Sequence, residues 1–105
     1  KRVALARALV LHPEIVLFDE PTTGLGPILV RSIHHLIADT QARLHYTAVI
    51  VSHEIPQIFD IATRVAMLHQ GTILEVDTAA RFQCSRNPAV QQFIAGAIEG
   101  PLTPT

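Results

Sequence analysis

The chain has 105 residues, of which 49% are hydrophobic and only 16% are charged, and its formal net charge is −1. Its length allows one small domain or part of a larger one, and the near-neutral charge argues against the basic patch that nucleic-acid binding requires. The single cysteine, Cys84, excludes an internal disulfide, and no apolar run approaches the roughly 18 residues of a membrane-spanning helix. Because a small domain has little core relative to its surface, this apolar content suggests that partners cover some of it.

The first half of the chain alternates helical patterns with short apolar runs. We predict helix, strand, helix and strand in that order, over residues 1–11, 15–18, 27–44 and 47–51. The first helix should end at His12, because the residue before a proline leaves the helical conformation, and Pro27 suits the first turn of the second helix. Both strands are apolar on both faces, which is typical of strands buried in a parallel sheet.

The second half of the chain contains a hairpin pattern and short helices. The predicted elements are a helix, two strands and two further helices, over residues 55–62, 64–68, 72–76, 78–84 and from Pro88 onward. Gln70 and Gly71 separate the two strands and indicate a tight turn. The last helix has an apolar stripe at helical spacing, made of Val90, Phe93, Ile94, Ala97 and Ile98. We interpret this stripe as core or as a docking surface for a partner subunit, and the tail over 102–105 as loose.

Two acidic residues directly follow the first strand. Asp19 and Glu20 would emerge at the carboxyl end of a buried strand, where open α/β sheets bind ligands. Adjacent residues of a strand point in opposite directions, so the two acids should have different roles. We predict that Asp19 holds Mg²⁺, directly or through water, and that Glu20 orients or deprotonates a water molecule. The alternative is a solvated pair that simply ends a strand, and the following Pro21 and Thr-Thr-Gly-Leu loop argue against it.

A second polar pair, Ser52 and His53, follows the second strand. In a parallel sheet it would reach the same edge as the two acids, where the His53 imidazole could bond to a γ-phosphate oxygen of a nucleotide. A lone histidine is more often structural, but its place one helix and one strand after the acids favours the site. His34 and His35 point about 100° apart on their helix, so we assign them surface or packing roles rather than metal binding.

These residues, in this order, resemble the ATP-binding subunits of ABC transporters. Asp19 corresponds to the family's Walker B aspartate, Glu20 to its catalytic glutamate and His53 to its switch histidine. Residues 1–9, KRVALARAL, look like the helix after the family's signature loop, and residues 22–27 lie where the family has its D-loop. The resemblance implies an α/β fold: a partial P-loop NTPase (RecA-like ABC ATPase) core with parallel strands, followed by a small hairpin and C-terminal helices.

The same resemblance implies a domain organisation, cofactors and partners. Residues 1–105 would be the C-terminal part of a nucleotide-binding domain, with 86–105 as a C-terminal helical extension. The implied cofactors are ATP and Mg²⁺, contacted by Asp19 and His53. The implied partners are a second copy of the ATPase subunit and an integral-membrane permease, without nucleic acid. The protein would then be cytoplasmic and peripheral on the inner face of the cell membrane, held there through the permease.

Within the family, the chain looks most like the ATPase subunit of bacterial Mce-type intermembrane phospholipid-transport systems. The sequence VSHEIP at 51–56 and the sequence PAVQQFIAG at 88–96, followed by Gly100 and Pro101, support this likeness. It implies transport of phospholipid across the cell envelope, with an Mce-type lipid-binding protein as a further partner.

The chain also departs from the family pattern. It contains no G-x-x-x-x-G-K-[ST] sequence, so the phosphate-binding Walker A loop is absent, as are the Gln-loop and the signature loop. Gly26 stands where the D-loop normally has Asp; it can still cap a helix, but it lacks the side chain that helps connect the two ATP sites of the family. One alternative is therefore a truncated, non-catalytic binding or assembly module. Another is a DNA-associated ATPase, which the near-neutral charge disfavours.

Overall fold

The chain divides into two compact units, Lys1–Ile61 and Ala62–Thr105. The computed structural model describes residues 2–102. The helical prediction for residue 1, and residues 103–105 of the tail predicted as loose over 102–105, therefore lie outside the described residues. Residues 86–102 belong to the second unit. The assignment of 1–105 to one part of a nucleotide-binding domain, with 86–105 as an extension, stays a prediction.

The first unit is a parallel strand pair with helices. Its elements are α1 (Arg2–Leu9), β1 (Ile15–Asp19), α2 (Pro27–Leu44), β2 (Thr47–Val51) and a one-turn 3₁₀ helix (Gln57–Asp60). The strands pair in parallel from Ile15 opposite Thr47 to Asp19 opposite Val51. A parallel pair needs a crossover between its strands, and α2 supplies it. The predicted α/β class with parallel strands is confirmed.

Two predicted helices of this unit are shorter than expected. The first helix ends at Leu9 and a turn follows, so it stops before His12, where the following proline was expected to end it. The helix predicted over 55–62 is wrong: only the 3₁₀ turn Gln57–Asp60 forms, with Pro56 as its N-cap residue. Proline lacks a backbone N–H, and short helical segments without a long apolar face rarely extend beyond one turn.

Only one face of the strand pair is covered, which corrects the prediction that both faces are buried. Val16 is buried, and it lines one apolar cavity together with residues of α1 and α2. The side chains of the opposite face are exposed, among them Leu17 at 75%; the others are Ile15, Val49 and Val51. Successive strand residues point to opposite faces, so helices packed on one face leave alternate residues uncovered.

The ends of α2 are fixed by backbone caps and by a buried tyrosine. Gly26 is the N-cap with an extended backbone and no side-chain cap, as predicted, and Pro27 occupies the first turn. At the other end His45 adopts a left-handed conformation, and its N–H donates to the Gln41 carbonyl. The Tyr46 side chain is buried, and its hydroxyl donates to the Ile37 carbonyl over 3.1 Å. These contacts hold the start of β2 against the last turns of α2.

His34 is a buried residue of α2 and is 2% exposed. Neither of its ring nitrogens has a hydrogen-bond partner within residues 2–102. Burial lowers the pKa of His34 from its ordinary value of 6.5; the nearby backbone of Gln57 and the charges of Glu54 and Asp60 oppose this effect but do not cancel it. His34 therefore packs α2 against the 3₁₀ helix as a neutral side chain, in agreement with its predicted packing role.

The second unit is an antiparallel hairpin followed by two helices. Its elements are β3 (Arg64–His69), β4 (Thr72–Thr78), α3 (Ala79–Gln83) and α4 (Pro88–Ala95). Gln70 and Gly71 form the two-residue turn with φ of 49° and 77°, the conformation that suits tight hairpins. The predicted hairpin is confirmed. Thr78 caps α3 by accepting from the Arg81 N–H, and Asn87 caps α4 by accepting from the Ala89 N–H.

The apolar stripe predicted along the last helix forms only in part: Val90, Phe93 and Ile94 lie on α4, but the helix ends at Ala95, before Ala97 and Ile98. Gly96 adopts the left-handed conformation and closes the helix, so Ile98 lies outside it and is 82% exposed. The buried face also includes Gln92, whose amide nitrogen donates to three carbonyls and whose oxygen accepts from the Leu102 N–H. Its side chain fixes the segment after α4, and a Cβ at Gly100 would collide with it.

Acidification should weaken the fold through His34. The unfolded chain has the ordinary pKa of 6.5 at this residue and the folded protein has a lower one, so the unfolded state binds more protons below pH 6.5. The free energy of unfolding should therefore fall as the pH drops below 6.5, and His34→Leu should reduce this loss. Urea unfolding above and below pH 6.5 measures the effect, with His35→Leu, at an exposed position of α2, as the control. The same pH dependence in all three proteins would contradict the prediction.

Candidate functional site

The carboxyl ends of β1 and β2 lie side by side and place the predicted site residues. Asp19, the last residue of β1, is paired with Val51, the last residue of β2. Glu20 follows in the left-handed conformation, with φ of 47°, and its N–H donates to the Val51 carbonyl over 2.8 Å. Glu20 thus lies outside the strand, and its direction follows from this turn rather than from the alternation used in the sequence argument.

His53 reaches Glu20 from a turn at the end of β2. The Glu54 N–H donates to the Ser52 hydroxyl over 3.1 Å, and the Ile55 N–H donates to the His53 carbonyl over 2.9 Å. The His53 Nδ1 atom lies 3.0 Å from Glu20 Oε1. The structure therefore brings together two of the three predicted site residues, 33 positions apart in the sequence.

The contact with Glu20 changes the protonation of His53. The hydrogen bond from the imidazole to Glu20, together with the charge of that carboxylate, raises the pKa of His53 above its ordinary value of 6.5; burial opposes this slightly, and Glu54 adds a smaller increase. Because Nδ1 donates to the carboxylate, Nε2 of a neutral imidazole is an acceptor and becomes a donor only when the ring is protonated. The raised pKa therefore favours a ring that donates from both nitrogens.

A second side chain, that of Thr23, also contacts Glu20 and was not among the site residues predicted from the sequence. The Thr23 hydroxyl lies 3.4 Å from Glu20 Oε2, the oxygen that His53 does not contact. The available signal was a hydroxyl residue three positions after the glutamate, within a loop rich in turn-forming residues. The Thr23 N–H also donates to the Glu20 carbonyl over 3.4 Å, so the contact is made within a single turn.

Asp19 is exposed and separate from this cluster. No side chain within residues 2–102 forms a hydrogen bond or ion pair with its carboxylate, and no group of three metal-ligating residues occurs in that part of the chain. Mg²⁺ is commonly held by one or two carboxylates, with water and substrate phosphates completing its coordination. A free aspartate at the end of a strand fits this mode of binding, although it forms no complete metal site by itself.

The fold of the chain matches that of solved ABC ATPase domains. The solved structure of cbiO1 from Clostridium perfringens, part of the ABC transporter complex cbiONQ, matches with a TM-score of 0.75 and 29% identity over 81% of this chain and 34% of that chain. Among curated proteins, the intermembrane phospholipid transport system ATP-binding protein MlaF of Escherichia coli (strain K12) is 36% identical over 102 residues, which are 97% of this chain. The arginine transport ATP-binding protein ArtP of Haemophilus influenzae is 40% identical over 93 residues, or 89% of this chain.

These comparisons show that the homologues of this chain are ABC transporter ATP-binding proteins. The chain spans 38% of the length of MlaF and 37% of that of ArtP. No family model matches the chain. None of the helices within residues 2–102 is both long enough and apolar enough to pass through a membrane.

Removing the charge of Glu20 should lower the pKa of His53. The variant Glu20→Gln loses the carboxylate that is the main cause of the increase, so the His53 pKa should fall toward 6.5. Titration of the imidazole C–H resonances by NMR measures this change. Glu54→Gln is the matched control and should lower the pKa by less, because Glu54 contributes least to the increase. An unchanged His53 pKa in Glu20→Gln would show that the two side chains do not interact in solution.

Proposed function

We propose that this chain is the C-terminal part of an ABC transporter nucleotide-binding domain and provides the hydrolytic residues of its ATP site. The single observation behind this proposal is the pair formed by Glu20 and His53 at the ends of two neighbouring parallel strands, 3.0 Å apart. This edge of a parallel sheet is where α/β proteins bind ligands. The homology to ABC transporter ATP-binding proteins supports the same assignment.

In this proposal Glu20 acts on the attacking water. Its carboxylate is partly exposed, so a water molecule can reach it, and it is already oriented by His53. A carboxylate in that position accepts a hydrogen bond from the water and orients it toward the γ-phosphate, and it takes the proton as attack proceeds.

His53 acts on the phosphate that is transferred. Its side chain is 65% exposed, so the ring edge away from Glu20 is open to a ligand. A phosphate oxygen only accepts hydrogen bonds, so Nε2 must donate to it, which requires the protonated ring while Nδ1 donates to Glu20. The raised pKa of His53 keeps that form populated to higher pH than in an ordinary histidine. Presence of the γ-phosphate would thus be communicated to Glu20 through one imidazole.

Asp19 provides the metal-binding carboxylate in this proposal. When bound, Mg²⁺ would neutralise charge on the β- and γ-phosphates. Asp19 would hold the ion directly or through water, and its lack of a protein partner within the described residues leaves it available.

The other components of the ATP site and of the transporter would come from outside this chain. The backbone cradle that grips the phosphates would be supplied by a Walker A loop in an upstream segment, and the signature loop by a second copy of the subunit. Closure of the two copies around ATP would drive an integral-membrane permease. The subunit would work in the cytoplasm, on the inner face of the membrane, through that permease.

For the cargo, we propose phospholipid, in an Mce-type system with a lipid-binding partner protein. This finer assignment rests on the VSHEIP sequence at 51–56 and on the sequence at 88–101. The likeness to MlaF is consistent with it, and ArtP, whose name specifies arginine transport, has a comparable identity over slightly less of the chain. A direct test is ATP-dependent movement of fluorescent phospholipid by the reconstituted transporter, with arginine uptake as the competing readout.

The Glu20→Gln variant should abolish ATP turnover in the complete subunit while leaving ATP binding intact. The amide keeps the size of the side chain but cannot accept a proton, so only the chemical step should suffer, with a loss of at least about a hundredfold in kcat. Phosphate release and nucleotide binding are measured in parallel on the same preparation. Wild-type turnover by this variant would rule out the role proposed for Glu20.

A second candidate function is a non-catalytic binding module, which Gly26, standing where the family's D-loop has Asp, favours. The isolated 105-residue chain should bind ATP too weakly to measure, because backbone N–H groups of the P-loop provide most of the phosphate affinity in this class of protein. Calorimetry with MgATP tests this expectation. Micromolar binding by the isolated chain would contradict the division of roles between its residues and an upstream segment.

A further inference from the structure

The carboxylate of Glu20 is held at both of its oxygens by different partners. His53 Nδ1 lies 3.0 Å from Oε1, and Thr23 Oγ1 lies 3.4 Å from Oε2. An ionised carboxylate only accepts hydrogen bonds, so the Thr23 hydroxyl must be the donor. Each carboxylate oxygen can accept two hydrogen bonds, so both keep an acceptor position for a water molecule. The two contacts restrain the group without blocking it.

Short-range backbone bonds place the Thr23 hydroxyl. The Thr23 N–H donates to the Glu20 carbonyl, and the Leu25 N–H donates to the Thr22 carbonyl over 3.1 Å, so consecutive turns shape this loop. Glu20 is in turn joined to β2, because its N–H donates to the Val51 carbonyl. The hydroxyl and the carboxylate therefore belong to one local structure, and their contact needs no distant segment.

We propose that Thr23 is a positioning residue for Glu20, whose hydroxyl keeps the carboxylate turned toward His53 and the attacking water. A glutamate side chain has several rotatable bonds, and a contact at one oxygen leaves the group free to swing about it. The second contact, at Oε2, restricts this motion. The role in hydrolysis rests on the function proposed above, whereas the restraint on the carboxylate is a property of this chain alone.

The exposure of Thr23 makes the inference testable without loss of the fold. Thr23 is exposed, whereas the neighbouring Thr22 is fully buried, so replacing Thr23 removes little packing. Thr23→Val keeps the shape of the side chain and removes the hydroxyl, and Thr23→Ser keeps the hydroxyl. Thr23→Ala is a second variant without the hydroxyl, in case Val disturbs the turn. Amide NMR spectra verify that each variant is folded.

The first measurement is the His53 pKa by NMR titration of the 105-residue chain. Without the hydroxyl, the carboxylate should spend less time against the imidazole, so the His53 pKa should fall part of the way toward that of Glu20→Gln. Thr23→Ser should match the wild-type chain. A purely structural role for Thr23 would not produce this pattern, because the folded variants would keep the contact between Glu20 and His53.

The second measurement is steady-state ATP turnover by the complete subunit. Thr23→Val and Thr23→Ala should lower kcat by about three- to tenfold, with KM for ATP unchanged, and Thr23→Ser should restore kcat. An unchanged His53 pKa in the variants without the hydroxyl would overturn the inference. So would an unchanged kcat, or a serine variant that behaves like the valine variant. Failure of the proposed function looks different: Glu20→Gln would then retain turnover, while the His53 pKa would still respond to Thr23.

Discussion

The hydrogen bond between His53 Nδ1 and Glu20 Oε1 connects the carboxyl ends of β1 and β2, and the candidate site depends on this contact. Two further bonds prepare it: the Glu20 N–H donates to the Val51 carbonyl, and Thr23 holds the other carboxylate oxygen. The backbone of Glu20 is thus bonded to β2, and its side chain to His53, in the segment that follows β2. Slippage of one strand by a single residue would turn the side chains to opposite faces and break the pair. The parallel register is therefore a functional feature as much as a structural one.

The position of the pair also explains how different parts of the first unit could influence it. Glu20 opens the loop that leads into α2, and His53 opens the segment that leads into the 3₁₀ helix. These two following elements pack together around His34, which is buried and neutral. The loop after Glu20 and the segment after His53 are therefore also connected through the packing of α2 against the 3₁₀ helix. Gly26 lies between Glu20 and α2, where it caps the helix through its backbone alone.

Local rules were sufficient to predict β1, β2 and the hairpin turn at Gly71, because apolar runs and turn residues act over a few positions. They failed where tertiary structure decides. Leu17 was predicted to be buried but is exposed. The sequence of a strand does not reveal which of its two faces is covered. The apolar stripe predicted along the last helix did not include Gln92, which is buried because it satisfies backbone groups beyond α4. The placement of Glu20 and Thr23 depends on a left-handed turn that sequence patterns do not specify at a non-glycine residue.

A double-mutant cycle on ATP turnover by the complete subunit tests most directly whether Glu20 and His53 act as one unit. Glu20→Asp draws the carboxylate back from the imidazole while leaving measurable activity, and His53→Ala removes the partner. If the two residues work through their mutual contact, the loss of kcat in the double variant should be smaller than the product of the two single losses, because one substitution already breaks the pair. Losses in kcat that multiply in the double variant would show that the two side chains act independently and would contradict the central role of their contact.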